Sequence, residues 1–242
     1  VQHLGYTRSA RRSDHLLLTP DTFIRAPLPG MEKATAIVHA SPAIGAAFVQ
    51  YTVECEAGGR LAGTADQRFL YVLDGTITVD GTALGPGGFA YIAARASSSI
   101  VASTAARAEV IEKPYQPLTG YQSPASFTGR EADVTPTYLG GDPWLEVRAL
   151  LPDDAAFDFR VNTMSYHPGA TLPMVEVHVM EHGLLMLSGA GIYRLGDSWY
   201  PVDAGDFIWM APYCPQWFGA LGKTPAKYLL YKDWDRHPGA AR

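Results

Sequence analysis

The stretch Met174–His182 reads MVEVHVMEH and places Glu176, His178, Glu181 and His182 within seven residues. Imidazole nitrogens and carboxylate oxygens at this density are the donors of a divalent-metal site. Two geometries compete. On a helix, His178-x-x-Glu181-His182 forms the H-x-x-E-H pattern of inverted zinc peptidases, with Glu181 as general base. On an extended strand, Glu176, His178 and His182 share one face, because their positions differ by even numbers, and Glu181 faces away with the valines. Pro168, Gly169 and Pro173 lie just upstream, and Val175, Val177 and Val179 alternate with Glu176, His178 and Met180. That period of two belongs to a strand, and β-branched valine is a poor helix former. The strand is favoured, and it gathers three ligand-type side chains. Inside a barrel they would be costly to bury without a partner, which a metal supplies. An exposed strand with its polar face in water is the plainer alternative.

Such a strand needs a scaffold, and the rest of the chain reads as strands. AAFVQYTVE, FLYVL, GFAYIAA, AEVIEK, VNTMSYH, GLLML, DFIWMAP and KYLLY are short β-rich runs separated by turn residues. Spacings of about 8–12 residues are the signature of an all-β sandwich or barrel. The pattern also repeats. RFLYVLDG (Arg68–Gly75) parallels HGLLMLSG (His182–Gly189), and GGFAYIAA (Gly87–Ala94) parallels GDFIWMAP (Gly205–Pro212). Two matched blocks in the same order imply two copies of one β-domain. The expected organisation is an N-terminal extension with a first strand (1–40), a first copy (41–120), a linker (121–143) and a second copy (144–242).

Composition excludes several roles. The 242 residues carry a formal net charge of -5 and are 47% hydrophobic, with no basic run. Nucleic acid and anionic membranes are therefore not expected partners. No apolar run approaches the roughly 20 residues of a spanning helix. The N-terminal VQHLGYTRSARRSDHLLLTP lacks the apolar core of a signal peptide. Two cysteines, Cys55 and Cys214, make no disulfide framework, so a reducing cytoplasm is expected. Cys214 could share a strand face with Gln216, although a small buried core residue is its ordinary role.

At Glu176-x-His178-x3-His182-x6-Gly189 the chain resembles the cupins, with the first His of their motif replaced by Glu and the Glu by His. The second cupin motif appears as GDFIWMAPYCPQWF, with Gln216 where the family usually carries its last His. The first copy has Ala62, Thr64, Arg68 and approximately Ser98 at the corresponding positions. This implies an all-β bicupin, two tandem jelly-roll barrels with one metal site, in the second. The Glu/His/His/Gln set is similar to that of the (S)-ureidoglycine aminohydrolases, manganese bicupins of purine (allantoin) degradation. LLLTPDTFIRAPLPGMEKATAIV, FLYVLDGTITV, PGATLPMVEVHVMEHGLLMLSGAGIYRL and YLLYKDWDRHPG extend the likeness along most of the chain.

That resemblance implies Glu176, His178, His182 and Gln216 as metal ligands. It implies Glu176, Gln216, Tyr228 and Lys232 as substrate contacts, with Lys232 and Glu176 as the proton-transfer groups. Tyr193, in GIYRL, is a further candidate for the cavity lining. In KYLLYKDW, Tyr228 and Lys232 share one strand face, although a lysine at a strand end beside Asp233 could equally sit at the surface. A mixed N/O donor set without sulfur suits Mn²⁺, Fe²⁺ or Ni²⁺; manganese is what the resemblance implies. The expected substrate is a small ureido amino acid, and the expected assembly a homo-oligomer. A different metal-cupin enzyme, dioxygenase or isomerase, and a small-molecule-binding bicupin without catalysis are the competing functions.

Overall fold

The computed structural model of the chain describes residues 5–236. The ends of the sequence, including the last residues of the YLLYKDWDRHPG tail, lie outside the described residues. Every named strand pairing is antiparallel, and the described helical elements are 3-10 turns such as Pro20–Thr22 and Pro42–Ile44. The short β-rich runs explain this, because adjacent β-branched and aromatic residues fit a pleated surface packed on both sides.

The chain divides into two compact units. One takes in the described residues up to Phe23, Pro136–Ala149 and Phe159–Trp234. Its eight-stranded sheet runs Ala10–Arg11, His15–Leu18, Phe207–Met210, His182–Ser188, Ala226–Asp233, Phe159–Tyr166, Leu145–Ala149, Thr137–Tyr138. A three-stranded sheet places Ala190–Leu195 between Ser198–Asp203 and Gln216–Leu221. Side chains from both sheets, among them Leu184, Met186, Tyr193, Phe218 and Tyr228, form one core. Burying each such side chain contributes about 1.5–3 kcal/mol.

The other unit takes in Ile24–Thr135, Leu150–Asp158 and the described residues from Asp235 on. Its sheet runs Phe127–Arg130, Gly88–Ile92, Gln67–Asp74, Ala106–Lys113, Val49–Leu61, Ile100–Ala102, Ile77–Val79, Thr82–Leu84, with Glu32–Ala40 also paired to Val49–Leu61. Tyr51, Val53, Leu70, Val72 and Val110 centre its core.

These units depart from the boundaries expected from sequence. The 1–40 segment is divided between them, since His15–Leu18 pairs with Phe207–Met210 and Glu32–Ala40 with Val49–Leu61. The 121–143 segment is not a bare linker either. Phe127–Arg130 adds to Gly88–Ile92, and Thr137–Tyr138 adds to Leu145–Ala149. Residues Leu150–Asp158, expected with the second copy, group with the unit of the first. The physical reason is edge pairing: short segments satisfy the open backbone groups of a sheet edge that lies far away in sequence.

The sequence repeat has a structural counterpart. Arg68, second in its strand, lies opposite Glu112, and His182 opens its strand opposite Lys232. Each strand leads into a glycine with positive φ, Gly75 at 72° and Gly189 at 70°.

Candidate metal centre

The Met174–Glu181 segment is extended but is not the continuous strand the alternation predicts; regular strand begins only at His182. Isolated bridges hold it to the Gln216–Leu221 strand, Thr171 opposite Gly219 and Glu176 opposite Gln216. Glu176 and Gln216 exchange backbone hydrogen bonds of 2.8 and 2.9 Å, and the Tyr213 amide donates to the His178 carbonyl at 2.7 Å. Pro173 cannot donate a ladder bond, and the detour to Tyr213, itself at φ 64°, breaks the pairing after Glu176. The helical reading is excluded by this backbone.

The expected facing is kept only in part: Val175 and Val177 are exposed and His182 is buried, but Met174, in step with the histidines, is exposed, and Glu181, in step with the valines, is buried. His178 Nε2 lies 3.2 Å from His182 Nε2, 2.8 Å from the Gln216 amide and 3.8 Å from Glu176 Oε2. Glu181 is turned away and buried elsewhere. Its carboxylate accepts from Trp209 Nε1 at 3.2 Å, and its backbone N–H donates to Asp233 at 2.7 Å.

These donors fit an ion. Two ring nitrogens 3.2 Å apart either share one proton in a hydrogen bond or turn both lone pairs on an ion. Burial pushes the His182 imidazolium down to about 3, with the neighbouring His178 and Lys232 charges acting in the same direction. The ring is therefore neutral at physiological pH, with a lone pair to offer. The Gln216 side chain sets its Nε2 2.8 Å from His178 Nε2, and the Tyr193 hydroxyl donates to its Oε1 at 3.4 Å; the oxygen, brought round by an amide flip, is the atom that would ligate an ion. Two imidazoles, one amide and one carboxylate are ligands for a divalent first-row metal.

The cluster opens on a cavity of about 220 Å³ whose lining includes Glu176, His178, His182, Gln216, Tyr193, Tyr228 and Lys232. The ligand and substrate residues that the resemblance implies, with Tyr193, therefore line one cavity. Lys232 sits in the sheet row of His182, with Nζ 4.5 Å from the centre of the Trp234 ring. Asp233, the surface partner considered from sequence, is engaged by the Glu181 amide. The Tyr228 hydroxyl lies 2.6 Å from that of Tyr166. Burial raises Tyr166, Tyr193 and Tyr228 well above the ordinary phenol range, so all three stay protonated.

Spacing gives no warning of two lining residues, Asn162 and Trp234. Nor does it foresee a second cluster, in which ligand-type atoms of Asp14, His15 and Cys214 lie within 4.8 Å of one another. There both His15 ring nitrogens are committed, to Asp14 and to Tyr200 at 2.9 Å each, and burial pushes the Cys214 thiol up to about 11. That cluster holds together by its own hydrogen bonds.

Two sheets closed on a cavity that carries a His/His/Glu/Gln cluster define the cupin class of metal-binding β-proteins. Residues 162–231 match the family model for the cupin domain. The chain is 39% identical over 241 residues to (S)-ureidoglycine aminohydrolase of Arabidopsis thaliana, covering 97% of this chain and 80% of that protein. It is 31% identical over 237 residues to the Escherichia coli K12 protein of the same name, covering 93% and 90%. The crystal structure of protein Ylba from E. coli superposes with a TM-score of 0.85 at 30% identity, over 97% of each chain. The chain belongs to the (S)-ureidoglycine aminohydrolase family.

Proposed function

We propose that this chain is a metal-dependent hydrolase that releases ammonia from (S)-ureidoglycine to give (S)-ureidoglycolate, in the allantoin branch of purine degradation. The curated relatives that carry this activity in their names support it. The observation that carries it is the meeting of Glu176, His178, His182, Gln216, Tyr228 and Lys232 on one cavity of small-molecule size. In the reaction a carbon–amine bond breaks, ammonia leaves, and one water adds to the same carbon.

Glu176, His178, His182 and Gln216 would hold the ion. Mn²⁺ is our assignment, supported by the N/O donor set and the family. When bound, the ion supplies a positive charge that fixes the substrate and polarises its polar groups. The chain's own groups do the rest. Lys232 carries a donor-only ammonium beside the His row and is suited to a carboxylate. Tyr193 and Tyr228, both protonated, line the cavity with hydroxyls held by Gln216 and Tyr166. Glu176 Oε and Lys232 Nζ are the groups through which one proton reaches the departing amine and another leaves the incoming water. The apolar lining of Leu172, Met180 and Leu230 limits bulk water around them. The proposal also includes two tandem barrels (a bicupin with its one metal site in the later unit), a homo-oligomeric assembly and a cytoplasmic location. Among the described residues no helix is long and apolar enough to cross a membrane.

The test is ammonia release from freshly generated (S)-ureidoglycine, with metal-free protein and after adding Mn²⁺, against a no-enzyme control. We expect Mn²⁺-dependent release that His182→Ala abolishes. Release no faster than the control from metal-loaded protein would reject this substrate.

A further inference from the structure

The polar groups of the cavity nearly all have tasks within the protein. Glu176, His182 and Gln216 each lie within 4 Å of His178 Nε2. Tyr193 is tied to Gln216, and Tyr228 to Tyr166 and Met164. Lys232 lies over the Trp234 ring. Asn162 is the exception. It is half-buried and lines the same cavity, and its amide makes no hydrogen bond to any described residue. Its polar atoms face the cavity and its solvent rather than a protein partner.

Its place is set by the sheet. Asn162 pairs with Leu230 across the Phe159–Tyr166 and Ala226–Asp233 strands. Tyr228 and Lys232, two residues to either side of Leu230, are therefore its diagonal neighbours, at about 7 Å. Val147 and Met164, also in the lining, give it apolar surroundings. The cavity thus has a charged region, where Glu176, the histidines and Lys232 stand, and a neutral polar spot beside it.

We propose that Asn162 recognises the carbamoyl end of the substrate. The inference rests on the ureido substrate proposed above. A carbamoyl group carries one carbonyl acceptor beside N–H donors, and a primary amide is its complement, with one acceptor and two donors. The lysine ammonium only donates, and the phenols already serve other partners. With the carboxylate and amine at the ligand cluster and Lys232, the ureido arm extends toward Asn162. That residue sets the specificity for a ureido arm over an acyl arm of the same shape.

Isothermal titration of Mn²⁺-loaded protein with two stable probes tests this. N-carbamoylglycine and N-acetylglycine share the carboxylate end and differ in an NH₂ against a CH₃. Wild type is expected to bind the carbamoyl probe about 10- to 100-fold more tightly, the worth of one or two amide hydrogen bonds. Asn162→Leu should bring that ratio close to one, with bound manganese and melting temperature unchanged. Asn162→Ser serves if the leucine variant does not fold. A ratio that survives the substitution, or equal loss of both probes, overturns the inference. Ammonia release by the wild type is measured in parallel. If turnover is absent but the Asn162-dependent preference is present, the reaction assignment falls and this inference stands. If turnover is normal and the preference is independent of Asn162, only this inference falls.

Discussion

Single residues decide how much of this site is reactive and how much merely holds an ion. Lys232 shares a sheet row with His182, and the equivalent row of the other unit holds Arg68 opposite Glu112. There the guanidinium closes on the carboxylate at 2.6 Å, and the Tyr51 hydroxyl donates to the same oxygen at 3.0 Å. A satisfied ion pair thus occupies the position that in the cupin unit faces a cavity. If Lys232 serves the substrate rather than the fold, Lys232→Met should retain manganese and melting temperature while kcat/KM falls about 100-fold. That corresponds to about 2.7 kcal/mol, as expected for a charge-assisted hydrogen bond lost without rescue. Manganese analysis and steady-state ammonia release together check it; parallel loss of metal and activity would make Lys232 a structural support. Parity alone draws Glu176, His178 and His182 together in the sequence. Gln216 comes only with the resemblance, because a lone amide near a Pro-rich turn carries no spacing signal. Asn162 has none either, being one polar residue in a half-buried strand.

At the scale of elements, strands and turns were readable because apolar runs and glycines punctuate them. The segment that carries the histidines was readable only partly in facing and not in pairing. Alternation reports which side a residue faces; it does not report that Pro173 and the approach of Tyr213 would interrupt the ladder. The N-terminal HLLL run shows the converse limit. Its strand character is evident, yet its partner, Phe207–Met210, lies some 190 residues away, and nothing local names it. The repeated glycine is a stronger element-level signal. Gly189 ends the His182–Ser188 strand at φ 70°, and a Cβ there would stand 2.6 Å from the Ala226 Cα and the Pro225 carbonyl. Both contacts are backbone, so neither can rotate away. Gly189→Ala should therefore destabilise the cupin unit by about 2–3 kcal/mol. In thermal melts this should appear as a drop of roughly 5–10 °C. Gly81→Ala is the control for positive φ without the close contact, since open space surrounds Gly81 at φ 85°. Equal losses in the two variants would assign the effect to dihedral strain alone.

For the whole molecule, the repeat leads to an expectation of two copies; the chain does divide into two compact units, and their boundaries follow distant edge pairing that composition cannot show. Net charge is equally silent about the groups that set stability, because those are buried. In the unit of the first repeat, Glu109 is fully buried, accepting from Gln50 Nε2 at 2.8 Å and from the Thr52 hydroxyl at 2.6 Å. Burial raises its carboxyl from 4.5 to about 7, against the opposing pull of those hydrogen bonds and of Arg107. His39, bonded to the Thr52 hydroxyl and 3.9 Å from Glu109, is pushed down to about 3 by burial. The signs oppose. For Glu109 the folded chain retains a proton that the unfolded chain releases near 4.5, so its contribution falls as pH rises from about 4.5 to 7 and is constant above. For His39 the unfolded chain gains a proton near 6.5 that the folded chain refuses, so its contribution falls as pH drops from about 6.5 to 3. Between about 4.5 and 6.5 these two slopes offset each other, while His182, also held down to about 3, makes wild-type stability fall as pH drops through this window. Glu109→Gln keeps the size and much of the hydrogen bonding but removes one titration. Relative to wild type, the variant should therefore gain about 3 kcal/mol as pH is raised from 4.5 to 7.5. Urea unfolding at a series of pH values reads this difference directly. A difference independent of pH would mean that Glu109 ionises in the folded chain as it does in the unfolded one, and that the buried network is built around a carboxylate rather than a carboxylic acid.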